Sequence, residues 1–253
     1  MGGGTVTDAA AYSVSTFKRG CRLILIPTTL LGMIDAALGG KTALNYKSVK
    51  NLIGTFYPAE QVILVPEFLQ TLPEDEVKNG LAEMLKLNFI MPDLPVPLIL
   101  GNIIPAPEII MDYAQAKLSI CSNDLTDKGN RRLLNLGHSF GHTLESYTNF
   151  RISHGDAIAW GIATAARVSE KLGYINKDTA NKIVNTLETY KFNTYLEAGI
   201  KSDFLASIPE LILQDKKTDN DLLTLVLFKE TGTVTLCKGL TPETITDILP
   251  DCV

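Results

Sequence analysis

Histidine is scarce in this sequence, with three among 253 residues, and tryptophan occurs once. Cysteine is nearly as sparse: Cys21, Cys121, Cys237 and Cys252 lie far apart, and none forms a CxxC pair. That spacing argues against a disulfide framework and fits a reduced, cytoplasmic protein with incidental thiols. No run of Lys or Arg stands out and the formal net charge is −5, so nothing marks a nucleic-acid surface. An anionic small molecule would have to be met by a local basic cluster. Long apolar runs are missing as well. CRLILIP from Cys21 and LPVPLIL from Leu94 are too short to span a bilayer, and no signal-peptide pattern opens the chain. Neither an internal repeat nor a low-complexity tract is present. The expectation is a cytoplasmic protein with no membrane or nucleic-acid partner.

What is present is ordinary globular material, 45% hydrophobic and 20% charged, enough to bury one large core or two modest ones. The chain opens MGGGTVTD. Such glycines normally follow a strand and let a phosphate approach the backbone, but here no strand precedes them. They are either a flexible terminus or the remainder of something longer. Arg22 to Ile26 predicts a short buried strand ended by Pro27, and Gln61 to Val65 predicts a second. Between them, Thr28 and Thr29 can cap a helix over Leu30 to Leu38, which Gly39 and Gly40 break. From Thr71 the pattern is mostly helical. Thr71 can cap a helix with Pro73 near its first position, and acidic residues follow in the first turn. Met91 to Pro107 carries five prolines and cannot be one regular element. Helices are expected over Pro107–Asn123, His154–Leu172 with Gly173 as C-cap, and Asp178–Leu196. Leu222–Phe228 and Thr233–Leu236 predict a β-hairpin about a Glu-Thr-Gly turn. The fold class is therefore α/β followed by mostly α. A truncated Rossmann-like portion (residues 1–68) precedes a helical domain with a small hairpin (residues 69–253).

All three histidines fall between positions 138 and 154. His138 and His142 are four apart in NLGHSFGHTLE and would share a helix face, while His154 stands at the head of the next helix in SHGDA. Two imidazoles and a carboxylate are a known set for a catalytic metal, which keeps a position open for water or substrate. Glu83 is the best carboxylate, because it interrupts an apolar stretch (Leu81, Ala82, Met84, Leu85, Leu87) where a bare buried charge would be costly. Lys86 lies on the same face and could pair with it. On spacing alone, two blander readings stay open: polar packing for the histidines, and a solvated salt bridge for Glu83 and Lys86.

Several strings in order resemble the 3-dehydroquinate synthase family: GGGTVTD at 2–8, FKRG at 17–20, PTTLLGMIDAALGGKTALN at 27–45, KNLIGTFY at 50–57, GLAEMLK at 80–86, RRLLNLGHSFGHTLE at 131–145, SHGDAIAWG at 153–161 and DKK at 215–217. The resemblance implies a site, position by position. Glu83, His138 and His154 match the metal ligands, with zinc or cobalt as the ion. Gly2, Gly3, Gly4 and Asp8 match NAD contacts, and Thr28, Thr29, Asp35, Lys41, Lys50 and Asn51 fall on nucleotide- or substrate-pocket positions. His142, Lys117, Asn135, Lys86 and Arg131 match the substrate-binding and catalytic set. Arg19, Lys41, Asn51 and one of Lys216 and Lys217 match the substrate-phosphate set. Arg19 there reaches across a homodimer.

The implied reaction converts 3-deoxy-D-arabino-heptulosonate 7-phosphate to 3-dehydroquinate and phosphate, in the shikimate pathway of aromatic amino acid biosynthesis. NAD takes a hydride from the substrate ring, and the ketone so formed acidifies the neighbouring C–H. Phosphate leaves, the hydride returns, and the ring opens and recloses by an aldol step, so NAD is not consumed. Lys117 with Asn135 and His142 favours this family over a cyclase making another ring, or over a polyol dehydrogenase. A non-catalytic fragment is the remaining alternative, since the family's glycine loop lies about a hundred residues into the chain. The pattern departs from the family at Leu125, where an acidic residue is usual, and in the proline-rich Met91–Pro107 segment.

Overall fold

The computed structural model describes residues 1–46, 49–97, 104–196, 203–205, 207–208 and 222–253, with backbone alone at 49 and 50. The chain forms two compact units, Met1–Arg131 and Arg132–Val253. Among the described residues no helix is long and apolar enough to cross a membrane.

In the first unit the glycines are not a flexible terminus. Gly2 donates its N–H to the Ile26 carbonyl (3.1 Å) and accepts from Thr28 N–H (2.9 Å), which makes it a strand-like partner of the segment after β1. Helix α1 (Gly4–Thr16) starts directly behind it. Strand β1 (Ile24–Leu25) pairs in parallel with β4 (Gln61–Val62), both shorter than the sequence predicts. Ala11 of α1 packs there with Leu23, Leu25 and Ala37 in a small apolar cluster. The stretch expected to be a regular helix over Leu30–Leu38 instead widens into a π-helical turn at Gly32–Ala36, where Ala37 N–H reaches back to the Gly32 carbonyl (3.1 Å). Thr29 caps it, its Oγ1 accepting from Gly32 N–H (3.1 Å). Such single-turn bulges are frequent at functional sites.

A β-hairpin that the hydrophobic pattern does not announce follows. Strands β2 (Lys41–Tyr46) and β3 (Val49–Phe56) run antiparallel with Lys41 opposite Phe56. A Cβ on Gly54 would lie 2.1 Å from the Thr42 carbonyl, so the close strand approach there requires glycine. Helix α2 (Glu74–Ile90) is led by Pro73 without a side-chain cap, and Thr71 instead donates to the Phe68 carbonyl. Asn79 to Leu87 are all buried, so α2 is a core helix and not a surface one. Helix α3 (Pro107–Ser122) completes the unit. Its Tyr113 hydroxyl donates to the Pro95 carbonyl (2.9 Å), while Asn88 of α2 donates to the Leu94 carbonyl (3.0 Å). These bonds pin the described part of the proline-rich segment; residues 98–103 lie outside the described residues.

The second unit holds α4 (His138–Tyr147), α5 (His154–Lys171), α6 (Lys177–Thr189), the antiparallel pair β5 (Leu223–Lys229) and β6 (Thr233–Leu240), and α7 (Pro242–Ile248). Small residues set how close α4 and α5 come. A Cβ on Gly161 would meet the Gly137 carbonyl at 2.1 Å, and one on Gly141 the Ala157 carbonyl at 2.8 Å. Ser153 caps α5 by accepting from Asp156 N–H (3.1 Å). Helix α6 ends at Thr189, seven residues before the Leu196 that its pattern suggests. The reason is Arg167, buried on α5, which donates to the Thr194 carbonyl (2.7 Å) and lies over the Tyr195 ring. Holding that carbonyl draws the chain out of helix.

Candidate active site

The first unit carries a cluster of opposite charges. Glu83 and Lys86, one turn apart on α2, form an ion pair with both side chains buried. Burial alone would lower the Lys86 pKa, but Glu83 and Asp35 outweigh it and hold the ammonium above its ordinary value. Asp35 projects from the π-helical turn. Lys117 of α3 donates to the Asp35 backbone carbonyl (2.6 Å) and pairs with its carboxylate. Desolvation pushes the Asp35 pKa up, yet Lys117 and Lys86 together bring it below the ordinary value. The widened turn thus serves the site: it aims both a carbonyl and a carboxylate at one lysine.

Asp8, on the second turn of α1, faces the same cluster. Burial raises its pKa from 3.8 to about 6, reinforced by Asp35 and opposed by Lys117. The sign follows from linkage. Between 3.8 and about 6 the folded chain keeps a proton that the unfolded chain has released. The stability tied to that proton is therefore complete below the lower value and lost as pH climbs through the upper one. An Asp8→Asn variant should gain melting temperature relative to wild type over that window. Parallel curves of Tm against pH would contradict the assignment.

Arg131 is buried, with its Nη1 donating to the Leu125 carbonyl (3.0 Å). Leu125 thus supplies that acceptor from its backbone. Asp124 accepts N–H groups from Lys128, Gly129 and Arg131, which shapes the turn. Gly39 and Gly40, both at positive φ, let the chain pass close to this region; a Cβ on Gly39 would sit 2.6 Å from Cys121 Sγ and 2.7 Å from Arg131 Nη2. Lys41 is exposed and paired with Asp127. Asn51 stands at φ 55, and its N–H donates to Asn45 Oδ1 (2.9 Å). Arg19 is exposed, also at positive φ. Gly2, Gly3 and Gly4 lie at the head of α1, which has no side-chain cap, and a Cβ on Gly3 would press on Thr29 at 3.0 Å. Thr28 is half-buried beside them. The Lys50 side chain, Lys216 and Lys217 lie outside the described residues.

The second unit brings the three histidines together. The His138 and His142 rings stand 5.1 Å apart and those of His138 and His154 5.9 Å apart, all edge-on. With metal–nitrogen bonds of about 2.0–2.1 Å, rings at such separations can share one ion. Hydrogen bonds tell the three apart. His138 Nδ1 lies 3.1 Å from the Leu136 carbonyl and His154 Nδ1 lies 3.0 Å from Glu145 Oε1. Both oxygens accept from a protonated Nδ1, which in the neutral imidazole leaves the lone pair on Nε2. His142 differs, since its Nε2 faces Glu145 Oε2 at 4.0 Å. The donor set fits a divalent ion at His138 and His154 in this unit. Asn135 is half-buried just before α4. Glu145 is the residue that sequence reasoning missed. Its spacing of three from His142 was a usable signal.

Residues 1–79 match the family model described as 3-dehydroquinate synthase N-terminal, and residues 80–218 match 3-dehydroquinate synthase C-terminal. A 3-dehydroquinate synthase of Legionella pneumophila (strain Corby) is 37% identical over 263 residues, an alignment covering 100% of this chain and 70% of that protein. Among solved structures, a 2-deoxy-scyllo-inosose synthase complexed with carbaglucose-6-phosphate, NAD+ and Co2+ superposes with TM-score 0.84 at 25% identity, covering 100% of this chain and 72% of that one. A 2-epi-5-epi-valiolone synthase from Streptomyces hygroscopicus subsp. jinggangensis 5008, with NAD+ and Zn2+ bound, gives 0.81 at 25% identity and the same coverages.

Proposed function

Because the chain belongs to the 3-dehydroquinate synthase family, we propose that it converts 3-deoxy-D-arabino-heptulosonate 7-phosphate to 3-dehydroquinate and phosphate. The observation that carries this reading is a pairing of features in a chain of that family. One unit holds a buried Glu83–Lys86 pair, and the other holds two imidazoles whose Nδ1 atoms are both engaged by oxygens. Glu83, His138 and His154 are the ligands of a divalent ion, zinc or cobalt. The uncapped head of α1 with Gly2, Gly3 and Gly4 takes the NAD pyrophosphate, as helix N-termini suit anions. When bound, NAD takes up and returns a hydride while the ion polarises the substrate hydroxyl to be oxidised.

The chain's own residues do the rest. Lys86, Lys117 and Arg131 are buried cations in an acidic protein, and they are the N–H donors offered to a phosphorylated sugar acid, two of them already held by carboxylates. His142 and Asn135 hold developing negative charge on oxygen and pass protons. Asp8, Thr28, Thr29, Asp35, Lys41, Lys50 and Asn51 serve nucleotide and substrate binding, the roles their match to the family's motifs implies. Lys41, Asn51 and one of Lys216 and Lys217 share the substrate phosphate with Arg19 from a second copy, so a homodimer is part of the reading. Residues 1–68 form its nucleotide-binding portion and residues 69–253 its metal- and substrate-binding portion. Four free cysteines, three of them buried, favour a reducing compartment such as the cytoplasm.

Phosphate release tests the proposal. Purified protein given NAD+ and zinc should release inorganic phosphate from the heptulosonate substrate with no net NADH. Omission of either NAD+ or zinc should stop it. Absence of release with both present would contradict the assignment, and steady accumulation of NADH would point to a dehydrogenase instead.

A further inference from the structure

Glu145 is 3% exposed, yet it carries a carboxylate on a helix whose buried neighbours are Phe140, Gly141, Thr143 and Leu144. Positions 138, 142 and 145 fall on one face of α4. The close approach of α4 to α5 brings the first residue of α5, His154, within hydrogen-bond range of that face. Glu145 Oε1 lies 3.0 Å from His154 Nδ1, a hydrogen bond, while Oε2 stands 4.0 Å from His142 Nε2. His138 has a neutral carbonyl in the equivalent place, that of Leu136. The two imidazoles assigned to the metal are thus supported unequally, one by a dipole and the other by a charge.

We infer that Glu145 is a positioning residue that holds His154 in the Nδ1-protonated form and strengthens its Nε2 as a ligand. A carboxylate behind a metal-bound imidazole fixes the ring's tautomer and tilt and raises its basicity. A buried carboxylate without such a role would be a costly thing to keep on a core helix. The inference rests on the metal reading above, in which His154 is a ligand.

The test is zinc affinity, measured on the full chain by competition with a chromogenic chelator, for wild type, E145Q and E145A. Loss of such an outer partner lowers metal affinity by about 10–100-fold. E145A should fall toward the larger figure and E145Q, which keeps an acceptor but not the charge, toward the smaller. Nitrogen NMR of the zinc-free protein should show the His154 proton leaving Nδ1 in E145A for a mixture of tautomers. Circular dichroism keeps a folding defect distinct, and if E145A does not fold, E145Q decides. Affinity within twofold of wild type in a folded variant overturns the inference. Wild-type protein that binds no zinc overturns instead the metal reading on which it stands.

Discussion

Replacing His154 by alanine will lower zinc affinity by more than about a hundredfold and abolish phosphate release. The magnitude follows from comparison: losing a partner behind a ligand already costs about 10–100-fold, and losing the ligand itself must cost more. The fold should survive, because His154 is half-exposed at the start of α5 and the helix keeps its Ser153 cap. The contrast with His142 makes the experiment informative. His142→Ala removes a ring whose Nε2 faces Glu145, so it should keep zinc affinity within a few-fold of wild type while losing most turnover. If His154→Ala binds zinc normally, or if His142→Ala loses it, the ligand assignment is wrong.

The second large effect is on stability. Lys86→Met leaves Glu83 buried without its lysine, in a cluster that already contains Asp35 and Asp8. Breaking a buried ion pair from one side destabilises by about 3–5 kcal/mol, because the remaining charge has lost both water and partner. Removing both sides is far milder, since well-packed apolar residues of similar volume often replace such a pair at little loss. Glu83→Leu combined with Lys86→Met should therefore regain most of the stability that Lys86→Met loses. Urea denaturation in the presence of a chelator measures this without interference from metal. A single variant weakened by less than about 1 kcal/mol would show the pair to be better solvated than its burial implies.

Much of the second unit was legible in the sequence. The α5 helix from His154 and the β5–β6 hairpin both follow from local pattern, and in the first unit Glu83 announced itself by interrupting an apolar run. What escaped was structure that depends on distant partners. Helix α1 has weak apolar contrast along GTVTDAAAYSVST, with only Thr7 and Ala11 buried, so periodicity does not reveal it. The β2–β3 hairpin is largely exposed, and its strands lack the clean alternation that marks a half-buried sheet. The π-helical turn carries Asp35, whose partner Lys117 lies 82 residues away, and no local signal marks that pairing. Helix α6 stops early for Arg167, which no local signal on α6 encodes. Glu145 was visible at a spacing of three from His142, but its oxygen reaches His154 only because glycines let α4 and α5 approach.

The claim that one carboxylate and two imidazoles hold the ion is tested most directly by cobalt(II) absorption. Wild-type protein titrated with cobalt should develop a visible ligand-field band that saturates at one ion per chain. In the Glu83→Leu, Lys86→Met double variant, expected to fold, that band should be lost or shifted and its saturation moved to much higher cobalt. A band in the double variant identical to that of wild type would show that Glu83 is not a ligand.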